Sequence, residues 1–447
     1  MTGPGRADTV AIAPGRHLTG TVRTPGDKSI SHRALLIGAL AEGKSTVRGL
    51  SDGDDVARTA AAVAALGASL ERDDGAVVIE GGRDRLHEAG PIDCANSGTS
   101  IRLLAGVVAS LPWTTTLSGD ASLSARPMDR ITEPLSAMGA TVRGRGPAQL
   151  PPLVVTGGGL HGIEWTPPMA SAQVKSAILF AGLDATGETV VRESVVTRTH
   201  TEDMLAAAGA EIAVEGWGTG RLVRVRASRL HPIDLDVPGD PSQAAFWIVA
   251  GCVVPASAVV VERVYSGPER IGFMRVLSRM GASVAIGTEI DGTADLSAEY
   301  SVLRATDVDA AEIPSLDEVP VLALAAAAAQ GTSTFRDVGE LTVKESDRLA
   351  ATVALVEAVG ARAWADGDNL VVEGAGSIGR GPVTFHGRGD HRLAMAAMVA
   401  ALAAPAGGTV GGVESVDTSY PSFLDHLDAL AGPDAWQPAD PADLVGR

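Results

Sequence analysis

Aromatic side chains are scarce in this sequence. They supply 3% of its 447 residues, so alanine, valine and leucine have to make the core. Cysteine is scarcer still. Cys94 and Cys252 lie far apart without the spacing of a metal site, and they read as small buried hydrophobes of a reduced, cytosolic protein. Positive charge is in deficit, at a net −18, which argues against general attraction to nucleic acid or anionic membranes. An anionic small molecule is still allowed, because a local cluster of Lys and Arg outweighs distant, screened carboxylates. Over Met1 to Ala13 no basic stretch leads into an apolar one, so no signal peptide is expected. The longest apolar run, Ala244 to Val261, is broken by Gly251, Pro255 and Ser257. It reads as helix, turn and strand, not as a membrane span. The tail from Gly432, rich in Pro, Asp and Ala, is expected to fray.

Hydrophobic residues at 45% and charged residues at 20% describe an ordinary globular chain. The length exceeds what one core organises and implies two or three domains. One signature keeps returning: Leu66-Gly67-Ala68, Met138-Gly139-Ala140, Ala208-Gly209-Ala210, Met280-Gly281-Ala282 and Val359-Gly360-Ala361, with a degenerate Leu430-Ala431-Gly432. The copies are roughly 70–80 residues apart, the interval of a repeated supersecondary unit. Each closes an amphipathic helix, as over Val56 to Leu66, with glycine at the left-handed position that ends it. A more apolar helix precedes each of these, starting near Ser31, Ser100, Val174, Gln243, Val319 and Arg392. Strands follow both helices. Six such units imply two domains, each packing three apolar helices together. A solenoid with its helices in a row is the alternative, and the mixed strand content disfavours it. The boundary falls at the turn Asp236-Val237-Pro238-Gly239-Asp240, giving one domain over 24–236 and a discontinuous one over 1–23 and 237–447.

Every apolar helix begins in polar chemistry. Pro25-Gly26-Asp27-Lys28-Ser29-Ile30-Ser31-His32-Arg33 opens the first, placing Lys28, Ser29 and Arg33 where free N–H groups and the helix dipole favour an anion. Asn96 to Thr99 and Arg102 open the second, and Ser171, Ala172, Gln173 and Lys175 the third. Asp240, Ser242 and Gln243 open the fourth, and here plain capping is the favoured reading. The fifth follows Asp317 and Glu318; the sixth follows Asp390, His391 and Arg392. Parallel inner helices put three starts on one face of each domain, and six starts facing each other across the domains make an anion site. Two stretches interrupt the repeat. Gly119 to Met128 is a loop that holds Arg126 beside Pro127, and Val343 to Leu349 opens the fifth unit's amphipathic helix. There Lys344 and Arg348 stand one turn apart, suited to grip one phosphate or carboxylate. Glu345 points elsewhere and is free to move a proton.

PGDKSISHR, NSGTSIR, GDASLSARPM, SAQVKSA, VKESDRLA and GDHRLAMA stand in this order, and with them the chain resembles the enolpyruvyl transferases from about Gly20 to Leu427. The resemblance implies two α/β domains, each of three βαβαββ units around parallel buried helices, the inside-out α/β barrel. It implies transfer of the enolpyruvyl group of phosphoenolpyruvate to the 5-hydroxyl of shikimate 3-phosphate, with release of phosphate and without metal or organic cofactor. It assigns Lys28, Ser29, Arg33, Ser171, Ala172, Gln173, Arg198, Asp317 and Lys344 to shikimate 3-phosphate. Lys28, Gly98, Arg126, Gln173, Arg348 and Arg392 fall to phosphoenolpyruvate. Asp317, with Lys28, is implied as the group that takes the hydroxyl proton, and Glu345 as the group that delivers one to carbon. A cytoplasmic monomer acting on these two small molecules, without nucleic acid or membrane, is expected.

Two departures stand out. Thr418-Ser419-Tyr420-Pro421 replaces a stretch in which many members carry a lysine, and Ser-Ala-Gln replaces Ser-Ser-Gln. Both changes, with Arg198, resemble the branch that includes glyphosate-tolerant members. Gly98, however, lacks the methyl that crowds that inhibitor, so glyphosate inhibition is expected. The alternative is an enolpyruvyl transferase of specialised metabolism acting on another phosphorylated substrate. Members acting on UDP-N-acetylglucosamine usually carry a cysteine in the loop matching Gly119 to Met128, and none is present here. A binding scaffold without activity is disfavoured by Asp317, Lys344, Glu345 and Arg348 occurring together.

Overall fold

The computed structural model describes residues 7–379 and 381–444; the readings of the extreme termini lie in part outside these. The chain forms two compact units, one of residues 26–237 and the other of residues 1–25 with 238–447. Helices alternate in character along it. The inner ones are α1 (Lys28–Leu40), α3 (Gly98–Ala109), α5 (Ala172–Gly182), α7 (Pro241–Val253), α9 (Val319–Ala328) and α11 (His391–Ala403). Between them come α2 (Asp54–Ala65), α4 (Asp129–Ala137), α6 (His200–Ala207), α8 (Gly272–Arg279), α10 (Arg348–Ala358) and α12 (Phe423–Ala431). The inner helices are buried on nearly every face. In α7 and α11 every residue is buried, whereas α2 and α10 bury only one stripe. That contrast follows from composition, because a helix without a polar face has nothing to offer water.

Among the described residues six four-stranded sheets complete the six units, each with the same topology. In the second unit the short strand Ile92–Asp93 runs parallel to Thr114–Ser118. That strand then pairs antiparallel with Leu150–Thr156, which in turn pairs with Thr141–Arg145. Unit boundaries follow from strand exchange. Asp234–Asp236 returns to complete the first sheet beside Gly43–Arg48. The N-terminal strand Thr9–Ile12 completes the sixth sheet, and Thr19–Val22 completes the fourth. The strands Thr9–Ile12 and Thr19–Val22 are therefore held in sheets of the C-terminal half.

The glycines of the repeated signature behave as their position requires. Gly67, Gly139, Gly209, Gly281 and Gly360 all have positive φ, between 83° and 114°, where a Cβ is strained. Few aromatics also means close helix approach. A Cβ on Gly106 of α3 would lie 2.2 Å from the carbonyl oxygen of Ala177 on α5. The run from Ala244 is helix α7, a turn and the strand Ala258–Tyr265, and no helix among the described residues is long and apolar enough to cross a membrane.

Inner helices within each unit run in parallel with their starts together. In residues 26–237 the Gln173 amide of α5 donates to Thr99 Oγ1 of α3 at 2.9 Å, and Arg33 of α1 donates to Ser176 Oγ of α5 at 2.7 Å. In the other unit Ser242 Oγ of α7 donates to Glu318 Oε1, at the start of α9, at 2.5 Å. Asp317, beside Glu318, meets Arg392 of α11 at 3.4 Å.

Candidate active site

In the 26–237 unit, Asp27 caps α1 by accepting from the Ile30 N–H at 2.8 Å. This fixes Lys28 and Ser29 in the first turn. Lys28 Nζ donates to Asp55 Oδ2 of α2 at 2.9 Å, and Arg198 Nη1 donates to Ser29 Oγ at 2.9 Å. Arg33 is 1% exposed. Its guanidinium donates to the Ser29 carbonyl at 2.8 Å, to Thr201 Oγ1 at 2.6 Å and to Ser176 Oγ at 2.7 Å. Its charge thus lies directly beneath the first turn. His32 is buried, and burial, then Lys28 and Arg33, hold its pKa well below the ordinary value. It is neutral at pH 7, with Nδ1 2.7 Å from Thr59 Oγ1.

The start of α3 is capped by Ser97, which accepts from the Ser100 N–H at 3.2 Å. Arg126 Nη2 donates to Asn96 Oδ1 and, at 3.2 Å, to Ser122 Oγ. Arg102 Nη1 donates to Gln173 Oε1 at 2.9 Å. Gln173 is therefore held at both ends of its amide, by Arg102 and Thr99. A methyl on Gly98 would lie 2.8 Å from Arg102 Nη1 and 3.2 Å from Arg126 Nη1. Ser171 caps α5 through the Val174 N–H at 3.4 Å, and Ser171, Ala172 and Gln173 are half-buried. Lys28, Ser29, Gly98, Arg126, Gln173 and Arg198 are thus gathered at the helix starts of one unit.

Lys175 does not join them. Its side chain is 0% exposed and bridges Glu193 at 2.9 Å and Glu202 at 2.7 Å, because position 175 lies on the core side of α5. Burial raises the Glu202 pKa, against the pull of Lys175.

In the other unit, Arg348 is 1% exposed and surrounded by carboxylates. Its Nε donates to Asp390 Oδ2 at 2.8 Å and its Nη1 to Asp317 Oδ1 at 3.0 Å, and its Nη2 lies 2.6 Å from Glu345 Oε2. Burial opposes the Arg348 charge, but Asp390, Glu345 and Asp317 outweigh it and raise its pKa. Burial likewise opposes the Asp390 charge, and Arg348 nevertheless holds that carboxyl below its usual range. Arg392 is 2% exposed, and its buried Nη1 has no hydrogen-bond partner among the described residues.

Two expectations about Val343 to Leu349 need correction. Helix α10 begins only at Arg348, because Asp347 caps it by accepting from the Ala350 N–H at 3.0 Å. Lys344 and Glu345 precede the helix, so Lys344 and Arg348 do not share a helical turn. Lys344 Nζ instead donates to Glu340 Oε1 at 2.8 Å. Glu345 does not point away but turns back onto Arg348. Asp240 behaves as the cap it was expected to be, accepting from the Ser242 N–H at 2.8 Å. Asp55, Thr201 and Ser176 were not anticipated. They lie far along the chain from the groups they hold; Ser176 belongs to the SAQVKSA motif, but nothing in the local sequence marks Asp55 or Thr201.

Residues 12–427 match the family model of EPSP synthase, 3-phosphoshikimate 1-carboxyvinyltransferase. The chain belongs to the EPSP synthase family. Relatives of that name include one from Gluconobacter oxydans, 46% identical over 94% of this chain and 97% of its own length. Another, from Synechococcus sp., is 44% identical over 97% of this chain and 99% of its own. Among solved structures, the EPSP synthase of Acinetobacter baumannii superposes with a TM-score of 0.85 at 36% identity, covering 97% of this chain and all of its own. The enolpyruvyl transferase NikO of Streptomyces tendae, at 21% identity and a TM-score of 0.76, shares the fold. Within the EPSP synthase family the two-domain inside-out α/β architecture is the expected one, and the six sheets fit it. These names favour the main reading over the specialised-metabolism alternative.

Proposed function

We propose that the protein transfers the enolpyruvyl group of phosphoenolpyruvate to the 5-hydroxyl of shikimate 3-phosphate and releases phosphate. The observation that carries this is a single buried guanidinium, Arg348, contacting Asp317 and Glu345. It holds two carboxylates, candidate base and acid, beside Arg392, whose Nη1 has no hydrogen-bond partner among the described residues. Asp317, with Lys28, takes the hydroxyl proton as oxygen attacks the enol carbon. Glu345 delivers a proton to the methylene carbon, giving a tetrahedral intermediate. Phosphate then leaves as its C–O bond breaks, and a carboxylate takes back a methyl proton to restore the double bond. Ser29, Ser171, Ala172, Gln173, Arg198 and Lys344 take shikimate 3-phosphate, with Arg33 holding Ser29 from below. Lys28, Gly98, Arg126, Gln173, Arg348 and Arg392 take phosphoenolpyruvate. Guanidinium and ammonium groups offset the repulsion between two polyanions. We assign no metal or organic cofactor, no nucleic acid and no membrane, and place the protein in the cytoplasm as a monomer.

Phosphate release from phosphoenolpyruvate is the test, with shikimate 3-phosphate and with UDP-N-acetylglucosamine as acceptors. Turnover is expected with the first alone; turnover with only the second, or with neither, overturns the proposal. The Gly98 geometry adds a prediction. In Gly98→Ala the new methyl presses on the ends of Arg102 and Arg126, both flexible, so the fold survives while the phosphoenolpyruvate site tightens sterically. KM for phosphoenolpyruvate is expected to rise several-fold, and the glyphosate inhibition constant to rise more. Equal inhibition constants for the parent and Gly98→Ala would refute this account.

A further inference from the structure

Lys175, Glu193 and Glu202 have no part in the chemistry above, yet they form a charged cluster with relative exposures of 0%, 5% and 1%. Glu193 ends the strand Glu188–Glu193, and Glu202 lies in the first turn of α6. The residues between them form the loop that carries Arg198. One ammonium on α5 therefore ties down both ends of that loop. A further tether lies inside it, where Thr197 Oγ1 donates to Glu193 Oε1. A cavity of about 210 Å³ lies between the first residues of the loop and the stretch Pro167–Ser171, so packing on that side does not define its position. Lys175 is also two residues from Gln173, on the helix whose start carries Ser171 and Ala172.

A buried ion cluster is weak evidence for stability, since apolar replacements are often as stable. Its best-attested use is to fix one arrangement among several. We propose that Lys175, Glu193, Glu202 and Thr197 are positioning residues for Arg198, holding its guanidinium on Ser29 Oγ and in register with the start of α5. The inference rests on the reading of Arg198 as a ligand of the shikimate 3-phosphate phosphate.

Lys175→Met leaves two buried carboxylates without a cation and endangers the fold, so Thr197→Val decides the matter. It removes the tether and leaves the ion pairs intact. Equilibrium binding of shikimate 3-phosphate and of unphosphorylated shikimate is measured for the parent, Thr197→Val, Arg198→Ala and the double variant, with KM for phosphoenolpyruvate and the melting temperature alongside. Thr197→Val is expected to weaken shikimate 3-phosphate about three- to tenfold, a lost oriented hydrogen bond. Affinities for shikimate and phosphoenolpyruvate should hardly change, and the melting temperature should fall only modestly because Glu193 keeps Lys175. The substitution should add nothing in the Arg198→Ala background, since it acts through that residue. Unchanged binding in Thr197→Val, equal weakening for shikimate, or additive losses in the double variant would each overturn the inference. Arg198→Ala with parental affinity would instead overturn the reading of Arg198 itself, and the positioning role with it.

Discussion

Arg348→Ala is expected to lower stability by about 3–5 kcal/mol, because removing one partner of a buried ion pair strands the others. Three carboxylates lose this cation: Asp390, fully buried, and Asp317 and Glu345, partly so, with Asp317 keeping Arg392 at 3.4 Å. The same change is expected to reduce kcat/KM about 10²–10³-fold, the usual loss when a preorganised donor to developing charge is removed. Its pH dependence separates this account from a general packing defect. In the parent, Arg348 holds Asp390 below its usual range. That contribution is complete above the unfolded Asp pKa and disappears as pH falls through the depressed folded value. Without Arg348, burial is the dominant influence on Asp390 and raises its pKa. The sign then inverts: the contribution is present below the unfolded Asp pKa and is lost as pH rises through the raised folded value. Chemical denaturation between pH 4 and 8 checks this. A variant whose stability loss is the same at every pH would show that the charges play no part.

What the sequence allowed to be read, and what it hid, divide along one physical line. Helix ends and repeats are local, and they were legible. Gly67, Gly139 and their counterparts sit at positive φ because a chain leaving an α-helix needs that conformation. The inner helices begin within a few residues of the positions expected from their apolar runs. Motif residues such as Lys28, Gly98, Gln173 and Arg126 gather at the starts of adjacent helices, since a repeated unit aims equivalent ends in the same direction. Partners were not legible. Lys175 stands in the same motif as Gln173, yet a 100° step per residue carries its side chain to the opposite, buried side. Glu345 precedes Arg348 by three positions, a spacing that brings the two side chains together even within a helix, so expecting it to face away overlooks its spacing to Arg348. What the cap at Asp347 changes is Lys344, which lies before the helix start at Arg348 and pairs with Glu340 instead. Asp390 was legible as a residue preceding a helix but not as the main counter-charge of Arg348, which lies 42 positions away.

Glu345→Gln is expected to lower kcat about 10²–10⁴-fold, the range of a lost general acid or base, with little loss of affinity for either substrate. The geometry explains the split. Glu345 touches Arg348 at 2.6 Å, so the amide keeps the shape of the site and removes one negative charge from beside a cation that receives an anion. Binding of phosphoenolpyruvate should therefore hold or tighten while turnover falls. The missing step is proton delivery to the methylene carbon, and rapid-quench measurement should show the tetrahedral species forming slowly. In deuterated water, label should enter the vinyl position of the product and recovered phosphoenolpyruvate far more slowly than with the parent. Asp317→Asn acts at the other proton. It also loosens Arg392, which it meets at 3.4 Å, so both KM and kcat should suffer there. If Glu345→Gln instead raised KM with kcat retained, the carboxylate would be a binding group, and the proton would have to come from elsewhere.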